Sequence, residues 1–205
     1  MRTFLASGSS GAALARHLVD KAAARALPLD TLRLLAPVEA GGKLLAHLVN
    51  YAGHDAEAKI KIPVKPFFFL KTASSLCNPG DPLYTHPVSA KLDHDVELAV
   101  VIGTPVRDAD ASTAMASVAG YTVCNDASYR DLQMNEGFPD INSSYGKNWT
   151  RAKGLDNACP LGPWLVLADE MPEPYPLAIA CRVNGVVRQH DSTTARATWC
   201  TRLQR

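Results

Sequence analysis

Apolar and polar positions alternate most cleanly in His94-Asp95-Val96-Glu97-Leu98-Ala99-Val100-Val101-Ile102, where Val96, Leu98, Val100 and Ile102 recur every second residue. That is the period of a β-strand. Shorter apolar runs at Leu44 to Val49, Phe67 to Lys71, Tyr121 to Cys124, Trp164 to Leu167 and Ala178 to Val183 are separated by turn signals such as Pro79-Gly80-Asp81-Pro82. They predict further strands. Helical patterning is confined to three places. Ser9-Ser10-Gly11 caps an Ala-rich helix from about Ala12 to Ala26, with Leu14 and Leu18 at helical spacing and Pro28 closing it. Asp110 to Ala119 reads as a short capped helix ended by Gly120. Another short helix is predicted to begin near Ser128. The expected fold class is therefore α+β, mainly β. Pro37 and Gly41-Gly42 mark residues 1–42 as an N-terminal appendage to a strand-rich body, and no internal repeat is present.

Composition narrows the classes. The chain has 205 residues, 47% of them hydrophobic and 20% charged, which excludes wholesale disorder and suits one domain of moderate size. Lys plus Arg number 21 against 20 Asp plus Glu, a net charge of +1. No broad positive field is available for a polyanion, so no nucleic-acid partner is expected. The longest apolar runs, Pro66 to Leu70 and Leu98 to Ile102, are far too short to span a bilayer, so no membrane partner is expected either. Phe4-Leu5-Ala6 gives way at once to Ser7-Gly8-Ser9-Ser10, unlike a signal-peptide core. Cys77, Cys124, Cys159, Cys181 and Cys200 are odd in number, widely spaced and form no CxxC. Free thiols in a reducing cytoplasm are the expectation, rather than a disulfide framework or a zinc site.

The chemistry starts from the alternating strand. Its period of two puts Asp95 and Glu97 on one face, which Ala99 and Val101 continue as apolar. Two carboxylates side by side on a half-dry face repel unless a cation lies between them, and a divalent metal with oxygen ligands resolves the conflict. An edge strand with solvated acids at its wet end fits the same pattern. Asp126 follows the run Tyr121-Thr122-Val123-Cys124 and reads as a third ligand or as the N-cap of the next helix. Three acids suit magnesium, which leaves other positions for water or substrate oxygens. On a helical turn His54 and Glu57 lie three residues apart; a carboxylate holding the imidazole makes it a better general base. A surface His beside surface acids is the alternative. Lys153, before a Pro/Gly-rich turn, is either solvated or, near a metal, placed to neutralise a developing enolate.

The order of these pieces resembles the fumarylacetoacetate hydrolase family. The matching stretches are Asn50-Tyr51-x-x-His54-x-x-Glu57, Phe69-Leu70-Lys71, Pro79-Gly80-Asp81-Pro82, Asp95-Val96-Glu97 through Gly103, Gly120-Tyr121-Thr122-Val123, Asn125-Asp126, Arg130-Asp131-Leu132-Gln133, Lys153 and Cys159-Pro160-Leu161-Gly162-Pro163-Trp164. Val183-Asn184-Gly185 and Arg188-Gln189 extend the match, which covers about Leu44 to Thr194. The resemblance implies a mixed β-sandwich roll, often dimeric, with Mg²⁺ (or Mn²⁺) held by Asp95, Glu97 and Asp126. It implies that Lys153 is the active-site lysine, that Arg130 and Gln133 line the substrate pocket, and that His54 and Glu57 form the water-activating pair. The implied substrate is a small 2-oxo or 1,3-dicarbonyl carboxylic acid, with aromatic-compound breakdown as the expected setting, taken by hydrolysis, decarboxylation or isomerisation. A cytoplasmic homodimer is the expected form.

Two departures stand out. The first ligand position is commonly Glu in the family and is Asp95 here. The match also fades after Thr194, and Ala195 to Arg205 is a basic tail. The expected organisation is thus 1–42 appendage, 43–194 incomplete catalytic domain, and 195–205 non-matching tail, which a frameshift would produce. An inactive truncated member, at most a metal-binding or dimerisation module, is the alternative to a metal-dependent hydrolase or isomerase.

Overall fold

The computed structural model describes residues 1–22, 26–39, 41–48, 50–51, 66–134, 148–171 and 176–195. Its helices are α1 (Arg2–Ala6), α2 (Gly8–Ala22), α3 (Ala111–Ala116), α4 (Arg130–Met134) and α5 (Trp149–Lys153). Its strands are β1 (Leu44–His47), β2 (Phe68–Lys71), β3 (Leu76–Cys77), β4 (Leu92–Asp93), β5 (Val96–Ile102), β6 (Val118–Asn125), β7 (Ser128–Tyr129), β8 (Cys159–Pro160), β9 (Val166–Leu167), β10 (Ala178–Val183) and β11 (Val186–Ser192). The strand-rich α+β class expected from the patterning is what forms.

The spine is the three-stranded sheet β5-β6-β9. β5 has the limits its alternation predicts and pairs antiparallel with β6 from Val96↔Asn125 to Val101↔Gly120, with a bulge before Ile102. Four two-stranded sheets surround it: β1-β2, β4-β7, β10-β11 and the parallel pair β3-β8. The pairing of β5 with β6 fixes which side chains stand beside one another at the end of the sheet.

Some elements differ from the sequence expectation, for identifiable reasons. The Ala-rich N-terminal segment is helical from Gly8 to Ala22, starting earlier than expected, and α1 precedes it; residues 23–25, before the expected end near Ala26, lie outside the described residues. Leu14 and Leu18 are more than half exposed, and the helix buries Gly11 and Ala12 instead. Asp110 does cap α3, accepting from the Thr113 N–H at 2.8 Å. Its carboxyl is held down to about 2 by that hydrogen bond and the one from Ser112. The helix stops at Ala116, however, and Gly120 lies within β6. A Cβ there would sit 2.2 Å from the Val166 carbonyl oxygen, so the glycine admits β9 to the sheet rather than ending a helix. The segment at Ser128 is first a strand, β7, and α4 follows it.

β10 and β11 form a hairpin whose turn, Asn184-Gly185, has φ of 51° and 79°. Both values are left-handed, which Asn and Gly tolerate and which matches the twist of the strands. The hairpin reaches the spine through Ile179, which packs with Val96, and through the Gln189 amide. Gln189 accepts from the Val96 N–H at 2.8 Å and donates to the Val96 carbonyl at 3.1 Å. An amide thus stands where a neighbouring strand would.

Three apolar clusters converge on the same end of the sheet. Tyr51, Val96 and Ile179 form one. Cys124, Cys159 and Leu161, with Ala36, Val38, Leu44, Leu76 and Ala99 against them, form the second. Ala127, Tyr129 and Ala158 form the third, and the Tyr129 hydroxyl donates to the Tyr84 carbonyl at 2.7 Å. Each cluster contains a residue within two positions of Asp95 or Asp126, so the packing that removes apolar surface from water also anchors the two acids. No helix among the described residues is long and apolar enough to cross a membrane.

Candidate active site

Asp95 precedes β5 and Asp126 follows β6, and the register brings them together. The Asp126 N–H donates to the Asp95 carbonyl at 2.7 Å, and the Asp95 N–H donates to Asn125 Oδ1 at 2.9 Å. Both carboxylates are nearly sealed from solvent, at 7% and 5% exposure. Ionised carboxylates so buried require cations, and the chain supplies two lysines. Lys153, the last residue of α5, places Nζ 2.5 Å from Asp126 Oδ2 and 3.2 Å from Asp95 Oδ2. Lys71, at the end of β2, places Nζ 2.6 Å from Asp126 Oδ1 and 3.4 Å from the Ala158 carbonyl. Each oxygen of Asp126 therefore accepts from its own ammonium.

The lysine pair owes its position to local pattern. In β2 Phe69 and Lys71 share the buried face while Phe68 and Leu70 are exposed. In α5 Trp149 and Lys153 lie one turn apart. The Phe69 and Trp149 rings stack with centroids 5.3 Å apart. The Lys153 ammonium lies 5.3 Å and 5.7 Å from the two ring centroids, an arrangement that favours a charged head over a neutral one.

The electrostatics follow from these distances. Burial pushes the Asp126 carboxyl up, but the charges of Lys153 and Lys71 and their hydrogen bonds outweigh it and hold it below its ordinary value. Burial pushes Lys153 down, and the charges of Asp126 and Asp95 outweigh that in turn, raising its ammonium above the ordinary value. Asp126 and Lys153 are thus each kept ionised by the charges around them.

Arg130, at the start of α4, borders the acids. Its Nε donates to Asp93 at 2.8 Å, its Nη1 donates to Gln133 Oε1 at 3.1 Å, and its Nη2 lies 3.8 Å from Asp95 Oδ2. Gln133 is buried behind it. The structure thus gathers Asp95, Asp126, Lys153, Arg130 and Gln133, five of the residues singled out from sequence. Glu97 lies half-buried on the same face of β5, one pleat on from Asp95. Among the described residues no group of three His, Cys, Asp or Glu side chains forms a metal cage. The donor chemistry nevertheless suits a hard divalent cation: Asp95, Glu97 and Asp126 present only carboxylate oxygens, and the first two to converge already share one cation, the Lys153 ammonium. His54 and Glu57 lie outside the described residues. Sequence reasoning missed Lys71 as a site residue, although a lysine in step with Phe69 on a strand's buried face was the available signal.

A buried ammonium beside two carboxylates and a partly engaged guanidinium can bind a small anion and stabilise negative charge that develops on its oxygen. Comparison with known proteins gives the family. The family model described as fumarylacetoacetate (FAA) hydrolase C-terminal matches residues 43–201. A fumarylacetoacetate hydrolase domain-containing protein 2 from Pongo abelii is 40% identical over 193 residues, covering 94% of this chain and 59% of that relative. A Homo sapiens protein described as oxaloacetate tautomerase FAHD2A, mitochondrial, is 40% identical over the same length and coverage. The crystal structure of a 5-carboxymethyl-2-hydroxymuconate delta-isomerase from Mycobacterium smegmatis is 35% identical, with a TM-score of 0.71 over 87% of this chain and 64% of that one. The chain spans about three fifths of the length of the curated relatives it matches.

Proposed function

Because this chain belongs to the fumarylacetoacetate hydrolase family, we propose that it catalyses proton transfer next to the carbonyl of a small 2-oxo carboxylic acid, an isomerase or hydrolase activity. The observation that carries this reading is the convergence of Asp95 and Asp126 on the buried Lys153 ammonium. Relatives described as an oxaloacetate tautomerase and a muconate isomerase support the substrate class.

Asp95, Glu97 and Asp126 would hold a divalent cation, Mg²⁺ or Mn²⁺, which when bound supplies Lewis-acid polarisation of substrate oxygens. The remaining work belongs to the chain. Arg130 and Gln133 bind the substrate carboxylate at the border of the site, the planar guanidinium suiting a two-oxygen group. Lys153 keeps a positive charge next to the developing enolate oxygen, and its aromatic surroundings keep that charge out of water. Asp126, pinned by two lysines, stays ionised throughout. His54 and Glu57 supply the proton-moving pair by their place in the family pattern. The compartment and a homodimeric form follow the same family pattern, as proposals.

The test is direct. Purified folded chain with Mg²⁺ and enol oxaloacetate should accelerate the ultraviolet loss of the enol, chelation should abolish the effect, and Asp126→Ala should abolish it too. No acceleration in a folded sample that binds the metal overturns the proposal and leaves a metal-binding module.

A further inference from the structure

Behind the charged centre lies a pair of thiols that the proposed chemistry does not use. Cys124 of β6 and Cys159 of β8 are both buried, and their Sγ atoms are 3.2 Å apart. The contact is between elements distant in sequence, 35 residues apart, and it is held from both sides. Cys124 bridges antiparallel to Leu161, and the two cysteines with Leu161 form one apolar cluster. The intervening excursion carries Asp126, Arg130, Gln133 and Lys153. The thiol pair therefore sits at the neck of the loop that delivers most of the candidate site. Lys71 ties the same neck to the site, since it donates both to Asp126 and to the carbonyl of Ala158, the residue before Cys159.

We propose that Cys124 and Cys159 form a reversible disulfide under a two-electron oxidant such as hydrogen peroxide, closing the base of the site-bearing excursion. Both thiols are buried, and one of them meets the peroxide first. Its sulfur takes one peroxide oxygen as the O–O bond breaks, giving a sulfenic acid and one water. The partner thiol's sulfur then attacks that sulfur, the S–O bond breaks, and the hydroxyl leaves as a second water with the remaining thiol proton. Two S–H bonds and one O–O bond are lost, one S–S bond forms, and two electrons pass from sulfur to oxygen. The sulfurs are already in contact, so bond formation begins from neighbouring atoms. Cys77 is also buried, but its thiol donates to the Asn157 carbonyl at 3.4 Å, and Cys181 packs against a different cluster.

The experiment treats the purified, folded full chain with peroxide, blocks remaining thiols under denaturing conditions, and maps disulfide-linked peptides by mass spectrometry without reduction. A Cys124–Cys159 linked peptide, lost on dithiothreitol treatment and absent from the Cys124→Ser variant, is expected. The Cys77→Ser variant should retain it, which keeps the proposal testable if Cys124→Ser fails to fold. Peroxide oxidation that leaves Cys124 and Cys159 alkylatable, or that pairs Cys159 with Cys77, overturns it. The readout is covalent, so it stands or falls independently of any turnover.

Discussion

The charged centre and the β10–β11 hairpin flank the same strand and are built in opposite ways. The centre seals Lys71, Asp95, Asp126 and Lys153 from water, each below 10% exposure, and satisfies them with one another. The hairpin leaves Val183, Val186 and Val187 between 40% and 53% exposed and depends on a turn and a ladder. In the first region every group is needed by its neighbours, because an unpaired buried charge is costly. In the second, backbone hydrogen bonds carry the structure and the side chains add little. Side-chain identity is therefore decisive at the centre and permissive on the exposed face of the hairpin, Ile179 and Gln189 excepted.

Replacement of Lys153 is the hardest test of that contrast. Lys153→Met removes the cation shared by both acids and should cost about 3–5 kcal/mol in urea denaturation. It should also reduce enol turnover at least ~100-fold where the protein stays folded. Lys71→Met leaves Asp126 one ammonium and should cost less, about 2–3 kcal/mol by the same measurement. A Lys71→Met variant as stable as the parent would mean that the second lysine is not required for charge balance.

Acidity separates the regions further. Asp126 is depressed below its ordinary value near 3.8, so its stabilisation is complete above that pH and is lost as pH falls through the lowered folded value. Lys153 is raised above its ordinary 10.5, so its stabilisation is complete below that pH and is lost as pH rises through the raised folded value. The centre's contribution to the melting temperature should be flat between these limits and decline outside them, and Lys153→Met should remove the alkaline decline. The smallest effect belongs to the hairpin: Val187→Thr should change unfolding free energy by no more than about 0.5 kcal/mol, with no altered pH profile. A loss comparable to Lys71→Met would show that the hairpin's apolar face is as demanding as the centre.

How much of this was legible depends on whether the signal was local. Strand β5 could be read to its ends because alternation is a property of consecutive residues, and it placed Asp95 and Glu97 on one face correctly. The turn residues Asn184 and Gly185 carry their own conformational reason. Gly120 was misread because a glycine after a helical stretch and a glycine under a crossing strand look alike in sequence; only the Val166 carbonyl distinguishes them. The expectation was a divalent metal between Asp95 and Glu97, whereas the ammonium found lies between Asp95 and Asp126, whose lysine partners are 55 and 27 residues away from Asp126. Family pattern had already marked Lys153. Lys71 needed the packing of β2 against α5 to be seen. The N-terminal helix starts earlier than read because Ser9, Ser10 and Gly11 are no firm boundary before the Ala-rich stretch, and the apolar spacing of Leu14 and Leu18 does not mark its buried side.

The Gln189 amide on Val96 has a dynamic consequence. A hairpin attached by one side chain and a small apolar cluster can detach as a unit without unzipping the ladder between β5 and β6, whereas a strand paired along its length cannot. Two hydrogen bonds of about 1 kcal/mol each are a modest latch. The Val96 amide proton would then exchange with solvent when the hairpin lifts, well before the amides between β5 and β6 do. One backbone site beside Asp95 would thereby report how often the hairpin lifts from the strand that leads into the candidate site.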